Sequence, residues 1–177
     1  GDNGRLWYFI IVATAGHDTT SYALSGGFEQ LLRHPDQLAA LQQNPDLAGA
    51  AAEEMIRWTS PVRSFMRWAF EDHELGGTRI SKGDAVLTSY PAANRDPDVF
   101  ERPMHFDIFR PDADRLLSFG LGVHYCLGSQ VARREVRTLL SAILDRVASI
   151  ELAAEPAWAE SHFVSGVKHL PVSYTMR

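Results

Sequence analysis

A single cysteine, no apolar run long enough for a membrane span, and fewer basic than acidic side chains are the scarcities of this 177-residue chain. With Cys126 alone no internal disulfide forms, so nothing in the sequence demands an oxidising compartment. Seventeen Lys and Arg against 22 Asp and Glu give a formal net charge of -5. That balance removes whole-surface attraction to nucleic acid or anionic lipid and leaves only local basic patches open. The apolar run LWYFIIVATA follows Arg5, and its Ala13-Thr14-Ala15 mimics a signal-peptidase site. It falls far short of the roughly 20 apolar residues a span requires. Neither a membrane span nor a secretory leader is expected, and a cytoplasmic location fits best. A hydrophobic content of 45% is enough for one core and too little for two comfortable domains. The chain opens Gly-Asp-Asn-Gly without an initiator methionine, as expected of a piece cut from something longer.

What is present begins with helical signals. Residues 5 to 32 read as one long helix, apolar at first and then amphipathic, with a polar interruption, GHDTTS, in its middle. His34-Pro35 ends it and opens a second helix that stops near Asn44-Pro45; a third runs from Asp46 to about Trp58. From Val62 the pattern changes to short strands in RSFMRWAF, ELGG, TRI and AVLTSY, separated by turn residues, which predicts a small sheet. Asn94-Arg95-Asp96-Pro97 predicts a helical turn through Phe100, followed by a loop rich in proline and charge. Apolar residues at 131, 132, 136, 139, 140, 143, 144 and 147 predict a buried amphipathic helix after Leu127. The tail, HFVSGVKHLPVSYTM, predicts a hairpin turning near Gly166. The fold class is mainly α with small β-sheets.

The lone cysteine sits in FGLGVHYCLG, residues 119 to 128. Gly120, Gly122 and Gly128 allow positive φ and a close backbone approach to a bulky partner. The predicted helix starts just after Cys126, so its free amides and positive dipole end favour a thiolate. A small buried cysteine in a glycine-rich turn is the structural alternative, and the glycine spacing weighs against it. A cysteine protease needs a base, for which His124 is nearest in sequence, and an oxyanion arrangement that is not identifiable. A zinc site needs several Cys or His at ligand spacing, which one cysteine among scattered histidines does not supply. A single thiolate does suffice as the axial ligand of haem iron.

At this point the sequence resembles a known family. Phe119-Gly120-x-Gly122-x-His124-x-Cys126-Leu127-Gly128 is similar to the haem-binding signature of the cytochrome P-450 monooxygenases. The resemblance implies that Cys126 ligates the iron of haem b (iron protoporphyrin IX), that loop amides tune its sulfur, that Phe119 covers the sulfur side, and that His124 meets a haem propionate. It also raises Glu54 and Arg57, three apart on one helix face, from a surface pair of little worth to a Glu-x-x-Arg scaffold pair. Its partner is Arg110 of FDIFRP, whose planar guanidinium would bridge a carboxylate and loop carbonyls and so rigidify the cysteine loop. In AGHDTT, residues 15 to 20, a helix N-cap at Asp18 or Thr19 is the plain reading. Gly16 and a threonine hydroxyl bonded to the preceding turn would instead bend the helix open into a groove. By resemblance Thr19 contacts dioxygen, Asp18 relays protons, Ala15 and Gly16 pass the haem face, and His17 faces away. Arg67 matches a propionate-binding arginine, against the alternative of a surface strand residue. Arg63 stays unassigned.

The resemblance spans essentially all 177 residues. It implies the haem-binding C-terminal portion of a single larger cytochrome P-450 domain, whose N-terminal half is absent here. The expected activity is insertion of one oxygen atom from dioxygen into a C–H bond of a small apolar substrate, with electrons from a ferredoxin-type donor. Ile11, Thr14, Ala15, Val62 and Val164 are expected as apolar pocket walls. Arg133, Arg134 and Arg137 offer the donor a local positive face, or are simply solvated. SFMRWAF, SYPAANRDP and FVSGVKHLP most resemble bacterial members that hydroxylate terpenes. The alternative function is a non-enzymatic haem-thiolate binding or sensor module, which needs no Asp18–Thr19 proton relay.

Overall fold

The protein is described by a computed structural model over residues 2–177. It opens with α1 (Asp2–Arg33), α2 (Pro35–Gln43), a 3-10 turn at Pro45–Leu47 and α3 (Ala48–Thr59). Proline sets these boundaries. Pro35 disfavours the α region for the residue before it, and His34 lies outside that region at φ -123° and ψ 73°. α3 ends on Ser60 in the left-handed region at φ 39°, just before Pro61. The serine hydroxyl donates to Arg57 O at 2.8 Å and accepts from Asn94 Nδ2 at 2.7 Å, which holds this conformation in place.

Next come two antiparallel pairs where one small sheet is expected. β1 (Ser64–Trp68) pairs with β4 (Ala85–Ser89), and the hairpin of β2 (His73–Leu75) and β3 (Thr78–Ile80) lies between them in sequence. The expected helical turn after Asn94 falls earlier, as α4 (Tyr90–Ala93). Residues 96–100 form only a turn, with Phe100 N donating to Asp96 O at 2.9 Å. The segment from 100 to 128 holds two short 3-10 turns, Ala113–Arg115 and Gly122–His124.

α5 (Ser129–Arg146) gives way directly to β5 (Val147–Leu152). Val147, which continues the helical apolar period, is the first residue of that strand. The tail is not one hairpin either. β7 (Val167–His169) pairs with β6 (Ala157–Trp158), and β8 (Val172–Met176) pairs with β5. β7 therefore pairs with the strand just before it, whereas β8 reaches back past both to β5, a choice that local pattern does not encode.

The core lies between the second half of α1, α3 and α5. Phe28, Leu31, Leu41, Met55, Ile56, Val136, Leu140 and Leu144 pack there, out of water. In α5 the buried residues recur four apart, whereas Val131 and Leu139 of the same period stay exposed. α1 is divided along its length. Leu6, Trp7, Phe9 and Ile11 are exposed, and burial begins only at Ala23. Two glycines set the closest approaches. A Cβ on Gly27 would stand 2.4 Å from Met55 Cβ, and one on Gly166 would stand 2.3 Å from Tyr22 Cβ. Gly27 thus lets α1 lie directly on α3.

Gly27→Ala is expected to destabilise the fold by about 1–3 kcal/mol through overpacking. Gly49→Ala, where an added Cβ meets nothing within 4 Å, should leave stability equal or slightly raised. Urea unfolding midpoints of the two variants check this difference.

Candidate functional site

Beneath the cysteine loop lies a fully buried ion pair. On α3, Glu54 and Arg57 fall on one face, and neither side chain is exposed at all. Arg57 Nε donates to Glu54 Oε2 at 2.6 Å and Nη2 to Oε1 at 2.8 Å, the bidentate fork–fork geometry. Its remaining donors reach Asn94 O at 2.6 Å, Pro103 O at 3.1 Å and His105 O at 3.2 Å. All five guanidinium N–H groups are thereby used. Glu54 Oε1 also accepts from Asp107 N at 2.9 Å. Arg110 closes the group: its Nε lies 3.3 Å from Glu54 Oε2, near enough for ionic attraction but not aligned for a hydrogen bond. The other donors of Arg110 go to the carbonyls of Glu101, of Arg102 at 3.1 Å and of His105 at 2.9 Å, and to Asp112 Oδ1 at 3.4 Å.

Those carbonyls belong to the 101–105 segment and not to the cysteine loop, which corrects the expected direct brace from Arg110. The brace runs through Asn94, which is wholly buried. Asn94 takes Arg57 on its carbonyl, and its side chain accepts from Leu117 N at 2.7 Å and donates to Ser118 Oγ at 2.8 Å. Ser118 Oγ in turn donates to Ile56 O of α3 at 2.9 Å. The chain is thus fixed immediately before Phe119. Sequence reading took Asn94 only as part of a structural motif; an amide next to a predicted turn was the available signal. Nearby, Arg95 lies over the Trp58 ring at 4.7 Å, and burial followed by the charges of Arg57 and Arg63 lowers its pKa from the usual value. Arg63 itself is tied through its backbone, with its N–H donating to Phe163 O at 2.8 Å.

The loop is built on glycine. Gly120 and Gly122 adopt φ 73° and 67°, where side chains with a Cβ are strained. Cys126 N donates to Phe119 O at 2.8 Å, closing the loop, and Ser129 N donates to Cys126 O at 3.2 Å where α5 begins. Gly128 stands at the head of that helix, and a Cβ there would come within 3.9 Å of Cys126 Sγ. Cys126 is exposed, which disposes of the buried-thiol alternative. His124 sits on the 3-10 turn, exposed, and Leu121, Val123 and Leu127 around it are also exposed.

Behind the loop, one side chain was read only as a surface charge. Arg133 on α5 is half-buried, donates from Nε to Glu53 Oε1 at 2.6 Å, and lies over the Phe119 ring with Cζ 4.4 Å from its centroid. Arg134 and Arg137 are exposed, so the proposed basic face rests on those two.

α1 stays helical throughout AGHDTT. Thr19 Oγ1 does donate to Ala15 O at 2.7 Å, and Thr14 likewise to Ile10 O at 2.7 Å, yet the helix has no break. The threonine bond to the preceding turn is thus as expected, and the helix runs on through Gly16. Nor is Asp18 an N-cap, since it lies mid-helix; His17 Nδ1 stands 2.8 Å from its Oδ1 and both are exposed. Ile11, Thr14 and Ala15 are exposed on α1, while Val62 and Val164 meet in an isolated antiparallel bridge. Arg67 is exposed on β1 and donates to Met66 O at 3.0 Å. It borders an open depression of about 460 Å³ between the β1–β4 and β2–β3 pairs, with Trp68, Phe70 and Leu75 in its wall. Neither Cys126 nor Thr19 lines that depression.

Known proteins share this arrangement. The family model described as Cytochrome P450 matches residues 46–148. Cytochrome P450-terp of a Pseudomonas species is 43% identical over 168 residues, covering 95% of this chain and 39% of the relative. Steroid C26-monooxygenase of Rhodococcus jostii is 38% identical over 168 residues, 95% of this chain and 35% of the relative. The crystal structure of CYP108D1 from Novosphingobium aromaticivorans superimposes with a TM-score of 0.91 at 48% identity, over 96% of this chain and 41% of that one. The fold, helical with small antiparallel sheets, is therefore a portion of the cytochrome P450 fold. The chain belongs to the cytochrome P450 family, and it spans less than half the length of these relatives.

Removing one partner from a buried, hydrogen-bonded charge pair costs about 3–5 kcal/mol. Arg57→Ala is expected to show that loss in urea unfolding. Arg110→Ala should lose less, because Arg57 still holds both oxygens of Glu54.

Proposed function

We propose that Cys126 is the axial thiolate of haem b, and that the full-length protein is a monooxygenase inserting one oxygen atom from dioxygen into a C–H bond of a small apolar substrate. The observation that carries this reading is the exposed Cys126 at the head of α5, in a glycine-built loop backed by the buried Glu54–Arg57–Arg110 group. The donor set fits a porphyrin. Among the described residues no three His, Cys, Asp or Glu side chains converge as a metal-binding group. One soft thiolate is all a porphyrin iron asks of the protein on this side. Exposed Leu121, Val123 and Leu127 add apolar surface that a flat macrocycle would cover.

In this reading Phe119 covers the sulfur side, and Gly120, Gly122 and Gly128 allow close approach. Arg67 and His124, both exposed, take the propionates. Bound haem supplies the chemistry of dioxygen activation, with two electrons from a ferredoxin-type donor. Ala15 and Gly16 would contribute to the surface that holds the haem. Thr19 and Asp18 handle protons: the Thr19 hydroxyl now donates to Ala15 O and must turn from it to donate elsewhere, while the exposed carboxylate of Asp18 takes protons from water. Ile11, Thr14, Ala15, Val62 and Val164 wall the substrate site. A relative named as a steroid C26-monooxygenase supports an uncharged, apolar ligand. A cytoplasmic home follows the same reading; no helix among the described residues is long and apolar enough to cross a membrane. The sensor alternative has no use for the Asp18–Thr19 pair.

Two outcomes are expected of the full-length protein. Its reduced carbonyl complex shows the red-shifted Soret band of thiolate ligation, and Cys126→Ser abolishes it; a serine variant that kept the band would require another ligand. Thr19→Ala retains haem but diverts electrons to peroxide, lowering product formed per electron. Unchanged coupling would remove the relay.

A further inference from the structure

Arg133 has no part in the proposed chemistry so far, and the expectation that it meets a redox partner sits poorly with its surroundings. Its guanidinium is committed on three sides. Nε donates to Glu53 Oε1 at 2.6 Å, Nη1 donates to Tyr125 Oη at 3.2 Å, and the plane lies over Phe119 at 4.4 Å. Phe119 and Tyr125 are themselves ring neighbours, with centroids 6.5 Å apart. These two residues occupy the two ends of the loop: Phe119 O accepts the amide of Cys126, and Tyr125 directly precedes it. Glu53 anchors the group to α3, next to the buried Glu54. Burial works against the charge on Arg133, yet the hydrogen bonds to Glu53 and Tyr125 outweigh it and raise its pKa above the usual arginine value. The cation is therefore permanent and fixed.

We infer that Arg133 is a positioning residue for the thiolate ligand: held by Glu53, it clamps Phe119 and Tyr125 and so fixes the loop that carries Cys126. The inference rests on the haem-thiolate reading and adds a residue to it. Two physical effects follow. A guanidinium that donates from Nε to one carboxylate oxygen and from Nη1 to a phenol while its Cζ lies over a ring makes contacts in three directions that the point charge of lysine cannot reproduce together. A fixed cation beside the loop also favours the more negative, reduced state of a thiolate-bound iron, so its loss lowers the reduction potential.

The test uses the haem-loaded full-length protein and the variants Arg133→Gln, Arg133→Lys, Glu53→Gln, Glu53→Gln with Arg133→Gln, and Arg134→Gln as the exposed neighbour. The readouts are haem midpoint potential, the rate of haem loss to an apoprotein acceptor, and the fraction of carbonyl complex keeping the thiolate band. Arg133→Gln should lower the potential, speed haem loss at least several-fold and convert part of the carbonyl complex to the blue-shifted form. Arg133→Lys should fail to restore haem retention, Glu53→Gln should speed haem loss less and, having removed a negative charge, should not lower the potential, and the double variant should lose haem no faster than Arg133→Gln. Arg134→Gln, which bears on docking of the electron donor, should keep the parent's haem retention and thiolate band. Retention and potential unchanged in Arg133→Gln, full rescue by lysine, or additive losses in the double variant would each overturn the inference. Should Arg133→Gln not fold, Glu53→Gln and Arg133→Lys decide the matter alone. A parent protein without the thiolate band would instead overturn the haem-thiolate reading itself.

Discussion

The carboxylate of Glu54 is out of contact with water, and the rest of the structure is arranged around making that tolerable. Moving a carboxylate into a protein interior costs several kcal/mol after relaxation, and attraction to a partner offsets this only when geometry is good and the leftover lone pairs are filled. Here both oxygens are engaged by Arg57, one also by the amide of Asp107, and Arg110 adds a second positive charge. The arginines in turn need acceptors, and they find them in the carbonyls of residues 94 to 105. A chain segment with almost no regular hydrogen bonding of its own is thereby given one conformation. The left-handed backbone at Arg102 belongs to the same accommodation, since its carbonyl is one of those acceptors.

From that centre, order passes outward to the cysteine loop along two lines. Asn94 carries one, reaching Leu117 and Ser118 from below. The second runs from Glu53 through Arg133 to Phe119 and Tyr125. Glu53 and Glu54 are adjacent on α3 yet serve different sides of the loop, as consecutive residues of a helix must, being about 100° apart around its axis. The loop itself contributes little packing. Its conformation is set from outside, which leaves Cys126, His124 and the apolar side chains beside them free to meet a ligand.

This division between buried scaffold and exposed working groups also explains α1. Its second half is core, with Phe28 and Leu31 against α3 and α5, and Gly27 allows the contact. Its first half, including the AGHDTT stretch, presents apolar and polar groups to solvent. Large exposed apolar area marks a surface made to be covered. One helix thus holds the fold at one end and presents an uncovered surface at the other.

Helix and strand periods, the proline boundaries, the glycine-flanked cysteine and the Glu-x-x-Arg spacing are local properties, fixed by backbone sterics and by which face a residue takes. They were legible in the sequence, and so was the class of fold. The start of β5 at Val147, the separate partners of β7 and β8 and the route from Arg57 to the loop through Asn94 were not. Each depends on what a residue meets across space. An asparagine or an arginine has the same character in any sequence; only the tertiary structure decided that Asn94 would bridge two segments and that Arg133 would turn inward, because burial and partner geometry, not residue type, set what a polar group does.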